Sequence, residues 1–234
     1  IYQAISAALS IERGHGLVFL PGEREIKECL NYLRKTELRN YELLALFARQ
    51  NNEAQAQIFN DTGRIKIILA TNIAETSLTI PGIKFVIDSG LAKVKRYSIR
   101  NRVEQLQIEM ASQASSNQRA GRAGRVSHGL CVRLFSESEF KLRKQFTEPE
   151  LLRSNLANVI LRMLALNIGD PHEFEFLDQP EQKAFNDGYR TLFQVQAIDE
   201  NNRITPLGRK LSQIPTDVQL ARILVAAAED YASL

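Results

Sequence analysis

The sequence has few of the residues that build disulfide bridges, metal sites or histidine-based active sites. Its 234 residues include only two cysteines, Cys29 and Cys131, which lie far apart in apolar surroundings and share no CxxC or other metal-ligand spacing. Such cysteines are typical of buried, reduced thiols. The three histidines, at positions 15, 128 and 172, are isolated from one another in the sequence. A disulfide framework and a Cys/His metal site are thereby excluded, and we expect a protein of the reducing cytoplasm.

Long apolar runs and a leader pattern are also missing. No run approaches the ~20 residues that a membrane-spanning helix needs, and no signal-peptide pattern opens the chain. The sequence is 44% hydrophobic and 24% charged, which is the balance of a soluble globular protein. Its length allows one large domain or two of ordinary size. From these features we expect no membrane partner for this chain.

The net charge of +3 hides an uneven distribution along the chain. Residues 84–144 contain 13 Lys and Arg against five Asp and Glu, whereas residues 145–200 contain four against ten. A basic block of this kind is a candidate surface for phosphate groups or nucleic acid. The reversal of sign near residues 145–149 indicates a boundary, with the acidic block in a separate domain.

The most informative segment lies inside the basic block, at residues 118–125 (QRAGRAGR). If this segment is helical, Gln118, Arg122 and Arg125 fall at i, i+4 and i+7 and share one face. Glycine costs a helix up to about 1 kcal/mol relative to alanine, so two glycines here indicate a reason beyond stability. Converging guanidinium groups suit a phosphate that carries charge on several oxygens. We therefore interpret the segment as a triphosphate sensor, with Arg122 and Arg125 as arginine fingers.

Two other interpretations of residues 118–125 stay open at this point. A Gly/Arg-rich patch also suits plain RNA binding through phosphate contacts alone. The same residues equally suit a solvated helix face that binds no ligand.

The first half of the chain alternates short apolar runs with helical patterns, which predicts a parallel α/β sheet. Residues 93–110 alternate polar and apolar side chains across a break at Arg100-Asn101, which predicts a projecting β-hairpin. Ser112 or Ser115 is expected to cap the helix that contains residues 118–125. Strands are predicted at 16–20, 42–47, 64–70, 84–88 and 129–135, and helices after residue 22 and at 52–59.

Polar turns follow three of the predicted strands. They are Pro21-Gly22, Thr71-Asn72 and Asp88-Ser89-Gly90. Functional groups in parallel sheets gather beyond the carboxyl ends of the strands. We therefore expect these turns to line one edge of the sheet together with residues 118–125.

The second half has a different pattern. Helices are predicted at 151–166 and 181–196, followed by a tight hairpin at Asn201-Asn202. Thr205 is then expected to cap a helix that has Pro206 at its first position. Helices followed by a small hairpin are typical of a winged helix. A further helix opens at residue 214 and still runs at the end of the chain, so we expect a fragment of a longer protein.

Four motifs in order resemble those of one family, and the resemblance covers essentially the whole chain. Residues 16–26 (GLVFLPGEREI) resemble motif IV, residues 70–80 (ATNIAETSLTI) resemble motif V, residues 118–125 match motif VI, and residues 205–215 (TPLGRKLSQIP) resemble the winged-helix exit of DEAH-box helicases. The similarity is strongest to the bacterial HrpA-type RNA helicases.

The resemblance implies a fold class and a division of the chain. The fold is α/β, a RecA-like (P-loop NTPase-type) parallel sheet with a projecting β-hairpin, followed by a small, mainly helical winged-helix domain. The implied domains are a second RecA-like helicase domain at 1–145, a winged helix at 146–213, and the start of a truncated C-terminal helical domain at 214–234.

The resemblance also implies a nucleotide site for ATP. By position, Gln118 would orient the attacking water, and Arg122 and Arg125 would stabilise the charge that develops on the γ-phosphate. Asp88 would meet the ribose, and Phe59 would stack on the adenine through its π-face. An apolar helix position such as Phe59 is equally consistent with a core residue. For Arg119 a structural or ion-pairing role is expected.

An RNA-binding surface follows from the same resemblance. Hydroxyl and amide side chains hold backbone phosphates without reading sequence, and the hairpin at 93–110 would act as a wedge or strand guide. A merely solvated basic strand explains the hairpin cations about as well. The implied contacts to single-stranded RNA are Thr71, Asn72, Thr76, Lys93, Lys95 and Arg96.

One departure from a complete helicase is decisive. The sequence contains no GxxxxGK[ST] and no Asp-Glu-Ala-His, the motifs that cradle phosphates and hold Mg²⁺ in phosphoryl-transfer ATPases. In the family these motifs belong to the first RecA-like domain, which we expect as a partner in cis, together with the Mg²⁺ ligands. We therefore predict that this chain alone hydrolyses no ATP. A DNA translocase and a non-catalytic nucleic-acid-binding module are the alternative functions.

Overall fold

The computed structural model describes residues 1–76, 78–123 and 128–231. The chain divides into two compact units, one made of Ile1–Val94 with Leu106–Thr147 and the other of Lys95–Gln105 with Glu148–Leu234. Within the described ranges, no helix is long and apolar enough to cross a membrane. The predicted three-part division at residues 145 and 213 stays a prediction.

A five-stranded parallel sheet forms the centre of the first unit, as the sequence predicted. The strands in chain order are β1 His15–Phe19, β2 Glu42–Leu46, β3 Lys66–Ala70, β4 Ile83–Asp88, β5 Leu91–Ser98, β6 Val103–Met110 and β7 Leu130–Arg133. The sheet has the order β2-β3-β1-β4-β7, and every neighbouring pair is parallel. Strands β5 and β6 pair with each other as the predicted hairpin.

Helices connect the strands of the first unit and make up most of the second. They are α1 Tyr2–Ile11, α2 Glu23–Leu33, α3 Asn52–Ala56, α4 Ile73–Thr76, α5 Gln113–Ala120, α6 Glu137–Leu142, α7 Glu150–Arg153, α8 Ala157–Leu166, α9 Gln182–Gln194, α10 Pro206–Ser212 and α11 Val218–Tyr231, with a short 3₁₀ helix at Glu37–Asn40. Two predicted caps are confirmed, because Ser112 caps α5 and Thr205 caps α10 ahead of Pro206.

Apolar side chains are buried on both faces of the sheet. In β1, Leu17 and Phe19 pack into one cluster while Val18 packs into the other, on the opposite face. Sheets covered on both sides in this way read as continuous apolar runs, which explains why the strands were recognisable in the sequence. Position 16 requires glycine, because a Cβ atom there would lie 2.2 Å from the Phe85 ring.

The register of the sheet brings three strand ends side by side. Phe19 is paired with Ala70 of β3 on one side and with Asp88 of β4 on the other. Because β1 lies between β3 and β4, the turns that follow these three strands start from one edge. The predicted clustering of these turns is confirmed.

The second unit has its own apolar core, built from α8 to α11 and the segment between α9 and α10. A single antiparallel bridge, Ile198 to Ile204, represents the predicted hairpin around Asn201-Asn202. The prediction of one helix at 151–166 was wrong, because the chain leaves the helical conformation between α7 and α8. There Asn155 Oδ1 accepts a hydrogen bond at 2.7 Å from the backbone N–H of Ala157, the first residue of α8.

Candidate functional site

Helix α5 carries the first residues of the 118–125 segment and then stops. Its N-terminus is fixed by Ser112, whose hydroxyl accepts a hydrogen bond from Ser115 N at 3.1 Å. Gly121 is the C-terminal cap, and residues 121–123 form a turn. The regular helix therefore ends before Arg122, and Arg125 lies outside the described residues.

Arg119 is almost completely buried and connects three elements. Its Nε and Nη2 atoms each lie 2.7 Å from Glu75 Oε1 in α4, and its Nη1 donates to Asp88 Oδ1 at 2.7 Å. Nη1 also donates to Leu91 O at the start of β5. The guanidinium lies over the ring of Phe19, 5.0 Å from its centroid. The ion-pairing role expected of Arg119 is confirmed.

Arg122 is also buried, with 8% of its surface exposed. Its guanidinium donates to Leu78 O at 2.7 Å and to Glu75 O. These two carbonyls stand on either side of Thr76, one of the predicted RNA contacts. In this conformation the guanidinium is engaged by the chain itself, and its role as an arginine finger stays a prediction.

Asp88 has no exposed surface. Its Oδ1 accepts hydrogen bonds from Arg119 and from Gly90 N, the latter at 2.8 Å. Its Oδ2 is buried and has no hydrogen-bond partner within the described part of the chain. A carboxylate in this position stabilises the strand-end turn. The predicted contact with a ribose stays a prediction and would require this carboxylate to become accessible.

The remaining predicted site residues of the sheet edge have open surface. Gln118 lies exposed in the last turn of α5, and Phe59 follows α3 with 45% of its surface exposed. Asn72 and Thr76 are exposed, and Thr71 is half-buried at the end of β3. These side chains are free to meet a ligand, and Phe59 is not the core residue that its sequence context also allowed.

The three hairpin cations differ in how they are engaged. Lys95 Nζ lies 2.5 Å from Glu104 Oε2, and Arg96 Nη1 lies 2.8 Å from Glu148 Oε2. Lys93 is half-buried and forms no ion pair with any residue that the structure describes. Of the three, Lys93 therefore has the charge most available to a phosphate, whereas Lys95 and Arg96 would have to share or exchange partners.

Two groups that fix the hairpin gave no signal in the sequence. At the base, buried Arg143 donates to Gly90 O at 2.7 Å and Ala111 O at 3.2 Å, and its guanidinium carbon lies 3.7 Å from the centroid of the Phe135 ring. Nothing in the motif pattern distinguishes this arginine from the other cations of the basic block.

At the tip, Tyr97 donates a hydrogen bond to Asp187 Oδ2 at 2.7 Å. Burial, followed by this hydrogen bond, raises the pKa of Tyr97 to about 12. Asp187 lies on α9 with 6% of its surface exposed. The partners are 90 residues apart, so no local pattern could have connected them.

A lysine inside an apolar strand is the site residue that the sequence could have revealed. Lys66 is buried in β3, within the run Ile65 to Ala70, and its ammonium donates to backbone carbonyls next to Phe59. Because lysine is almost never fully buried without partners, a lysine in such a run indicates a specific task. Among the described residues, no cluster of three potential His, Cys, Asp or Glu ligands could hold a metal ion.

Two protein families match separate parts of the chain. The helicase conserved C-terminal domain matches residues 2–127, which cover the sheet up to α5. The winged helix of the helicase-associated domain (HA2) matches residues 189–216, which include the Ile198 to Ile204 bridge and α10.

Individual relatives agree with these matches. The chain is 48% identical over 232 residues to the ATP-dependent RNA helicase HrpA of Escherichia coli, covering 97% of this chain and 18% of that protein. It is 46% identical to the HrpA homolog of Haemophilus influenzae, with 97% and 18% covered. A crystal structure of the Escherichia coli DEAH/RHA helicase HrpB superposes with a TM-score of 0.85 at 33% identity, covering 95% of this chain and 29% of that one.

The chain thus spans less than a third of the length of these relatives. The parallel sheet is the RecA-like sheet that the resemblance implied, and the helical region contains the winged helix. Matching sequence over more than half of the chain, together with the same fold, carries the assignment. The chain belongs to the helicase conserved C-terminal domain family, among the DEAH-box helicases of the HrpA type.

Proposed function

We propose that this chain forms one half of the motor of an ATP-dependent RNA helicase, the half that closes on ATP bound elsewhere and grips single-stranded RNA. Its relatives are named ATP-dependent RNA helicases, which supports ATP as the proposed nucleotide and RNA as the proposed polynucleotide. The proposed division of the chain is a RecA-like lobe at 1–145, a winged helix at 146–213 and the start of a further helical domain from 214.

One observation favours a motor over a simple binding module. Arg122 belongs to the segment proposed to sense the γ-phosphate, yet it holds the two carbonyls that stand on either side of Thr76. Arg119, its neighbour, holds the Glu75 side chain of the same helix α4. A change at the nucleotide would therefore be transmitted directly to a proposed RNA contact. A passive binding module has no need for that connection.

In this proposal each residue at the nucleotide has a distinct task. Gln118 orients the attacking water, and Arg122 and Arg125 stabilise the charge of the transferring phosphate, as fingers supplied by a neighbouring domain do. Phe59 stacks on the adenine. Asp88 would meet the ribose if the turn that buries it opened. The exposure of Gln118 and Phe59 supports their part of this proposal.

The RNA contacts in this proposal do not read sequence. Hydroxyl and amide groups of the strand-end turns and cations of the hairpin would hold backbone phosphates. They are Thr71, Asn72, Thr76, Lys93, Lys95 and Arg96. The hairpin β5–β6 would guide or part the strands.

ATP hydrolysis of this class also requires a phosphate loop and Mg²⁺. Among the described residues, no group of three or more His, Cys, Asp or Glu side chains could hold a metal ion. We propose that a first RecA-like domain in cis supplies both the loop and the metal ligands. Closure of the two lobes would bring the fingers to the γ-phosphate, and opening after hydrolysis would shift Thr76 relative to the RNA contacts of the other lobe.

Gln118→Ala in the full-length protein tests the proposal. Because the Gln118 side chain is exposed and makes no hydrogen bond within the described residues, its removal should leave the fold intact. We expect kcat for RNA-stimulated ATP hydrolysis to fall about 100-fold, the scale of losing one group that positions the reacting atoms. The measurement is the steady-state rate of phosphate release with single-stranded RNA.

Asn117→Ala is the matched control, because Asn117 is an exposed amide on the same turn that contacts Arg133 instead. Its rate should stay near that of the unmodified protein. Equal rates for both variants would contradict the water-orienting role. Stimulation by single-stranded DNA in place of RNA would identify a DNA translocase, and the absence of turnover under every condition would identify a non-catalytic binding module.

A further inference from the structure

We propose that Lys66 is a positioning residue, which fixes the exposed ring of Phe59 in the orientation that receives the adenine. The inference rests on the proposed function, because it assigns Phe59 the stacking role. The motif pattern of the sequence gives Lys66 no task. The geometry around its ammonium group gives it one.

The ammonium of Lys66 has three donors, and three backbone carbonyls accept from it. Nζ donates to Gln57 O at 3.2 Å, to Ile58 O at 2.9 Å and to Asn60 O. The residue is only 3% exposed, so these hydrogen bonds are largely screened from water. An ammonium buried with all its donors satisfied is held firmly, and it holds its acceptors in turn.

The three carbonyls surround Phe59 in the sequence. Ile58 is 2% exposed and points into the core, whereas the next residue, Phe59, is 45% exposed. The loop therefore reverses from inside to outside at one peptide, and Lys66 binds the backbone on both sides of it. Without that cation, Phe59 N would still donate to Ala56 O at 3.0 Å, but α3 is only five residues long and would hold the ring less firmly.

The backbone of Lys66 is itself rigid. Its strand β3 is paired with β2 on one side, where Lys66 faces Glu42, and with β1 on the other. Its N–H donates to His15 Nδ1 at 3.1 Å. The ring of Phe59 is thus tied to the central sheet through one side chain, as expected of a site supported by a rigid element.

A double-mutant cycle in the full-length protein tests this inference. The variants are Phe59→Ala, Lys66→Met and the double variant, and the measured quantities are KM for ATP and kcat. Loss of base stacking should raise KM about tenfold in Phe59→Ala. Lys66→Met should raise KM about three- to fivefold, with the effect on KM rather than on kcat, because a loosened ring weakens binding before chemistry. The double variant should match Phe59→Ala, since Lys66 acts only through that ring.

Each other outcome overturns a defined part. If Phe59→Ala raises KM and Lys66→Met leaves it unchanged, Lys66 does not position the ring, and the proposed stacking survives. If Phe59→Ala leaves KM unchanged, the stacking role fails and the inference falls with it. Effects of the two substitutions that multiply in the double variant would show a general structural role for Lys66. Should Lys66→Met prove insoluble, Lys66→Gln, which keeps one amide donor, is measured by the same criteria.

Discussion

Buried cations in the sheet unit donate to backbone carbonyls of the segments that carry the proposed ligand contacts. Lys66 holds the loop of Phe59, and Arg122 holds the carbonyls beside Thr76. Arg143 does the same at the base of the hairpin. A backbone carbonyl is neutral, so it does not neutralise the cation that donates to it. The hydrogen bond still holds the carbonyl in place, because hydrogen bonds with a charged donor are among the stronger ones. Burial of charge here serves to hold loops in place.

His15 should make the stability of the protein depend on pH. Burial, followed by the positive charge of Lys66, lowers the pKa of His15 from its usual 6.5. On acidification the unfolded chain binds a proton that the folded protein refuses, so the free energy of unfolding should fall as the pH drops below about 6.5. Urea unfolding between pH 5 and 7.5 measures this slope. In His15→Asn, which keeps an acceptor for the Lys66 N–H, the slope should be smaller.

His128→Asn serves as the comparison, because His128 is exposed and precedes β7, which pairs with β4 and not with the strand that carries Lys66. If the slope of His15→Asn equals that of the unmodified chain, His15 is not the group that titrates on unfolding.

At the scale of elements, the hairpin β5–β6 needs support from outside itself. A two-stranded ribbon alone is marginally stable in water, and β6 is exposed along nearly its whole length. Its apolar residues Leu106, Ile108 and Met110 are all largely exposed. The stability of the tip therefore depends on side-chain contacts with other elements, among them the partly buried hydrogen bond from Tyr97 to Asp187.

Asp187→Ala should loosen the hairpin tip. The carboxylate accepts from Tyr97 and Asn155 and lies 3.9 Å from Arg102 Nε, so its loss leaves several donors without their partner. A hydrogen bond to a charged group is worth about 1.5–3 kcal/mol, and amide hydrogen exchange at residues 95–105 should accelerate about tenfold or more. Asp178→Ala, at an exposed acid of the same unit, should leave that exchange unchanged. Identical exchange in both variants would assign the support of the tip to other contacts.

At the scale of the whole molecule, we propose that the chain acts as a partner lobe. The sequence has no phosphate loop, and the described residues hold no metal cluster. Fingers accelerate hydrolysis only on a nucleotide that another site holds.

The 234-residue chain by itself is therefore expected to hydrolyse no ATP above background. The measurement is phosphate release with and without RNA, with the full-length protein as the active reference. Turnover by the isolated chain that disappears in Arg122→Ala would show that it binds and hydrolyses the nucleotide unaided.

Much of the fold follows from local pattern. The strands were located by apolar runs that end at Pro21-Gly22 or Asp88-Ser89-Gly90. Such runs are easy to recognise, because strands buried on both faces are apolar at successive positions instead of alternating with polar residues. Local pattern failed where a side chain competes with the helix. The apolar spacing over 151–166 predicted one helix, but the chain leaves the helical conformation around Asn155, whose side chain accepts a hydrogen bond from Ala157 N. Helix α5 ends at Gly121, before the arginine spacing of residues 118–125 is complete.

The site was less predictable, because its partners are distant in sequence. Exposure of Gln118, Asn72 and Thr76 agrees with their polar character. Arg122 and Asp88 are buried in this structure, and their contacts with a nucleotide stay predictions. The carbonyl partners of Arg122, on Glu75 and Leu78, lie more than 40 residues away in the sequence, and no motif indicates which carbonyls face a guanidinium. The motifs of the family predict which residue types occupy the site. They do not predict the hydrogen-bond partners of those residues, which depend on the packed structure.

The hydrogen bonds of Arg122 have a consequence for affinity. If Arg122 is the proposed finger, ATP must displace the carbonyls of Glu75 and Leu78, so the chain acts as its own competitive inhibitor. Each such hydrogen bond is worth about 1.5–3 kcal/mol. Breaking one of them to bind ATP weakens the affinity for ATP by about that free energy, unless another ligand moves Glu75 and Leu78 away from Arg122. If a backbone phosphate of RNA draws Thr76 toward itself, the neighbouring carbonyls would move away from Arg122 and would no longer compete with ATP for it. By thermodynamic reciprocity, ATP would then tighten the hold on RNA by the same factor.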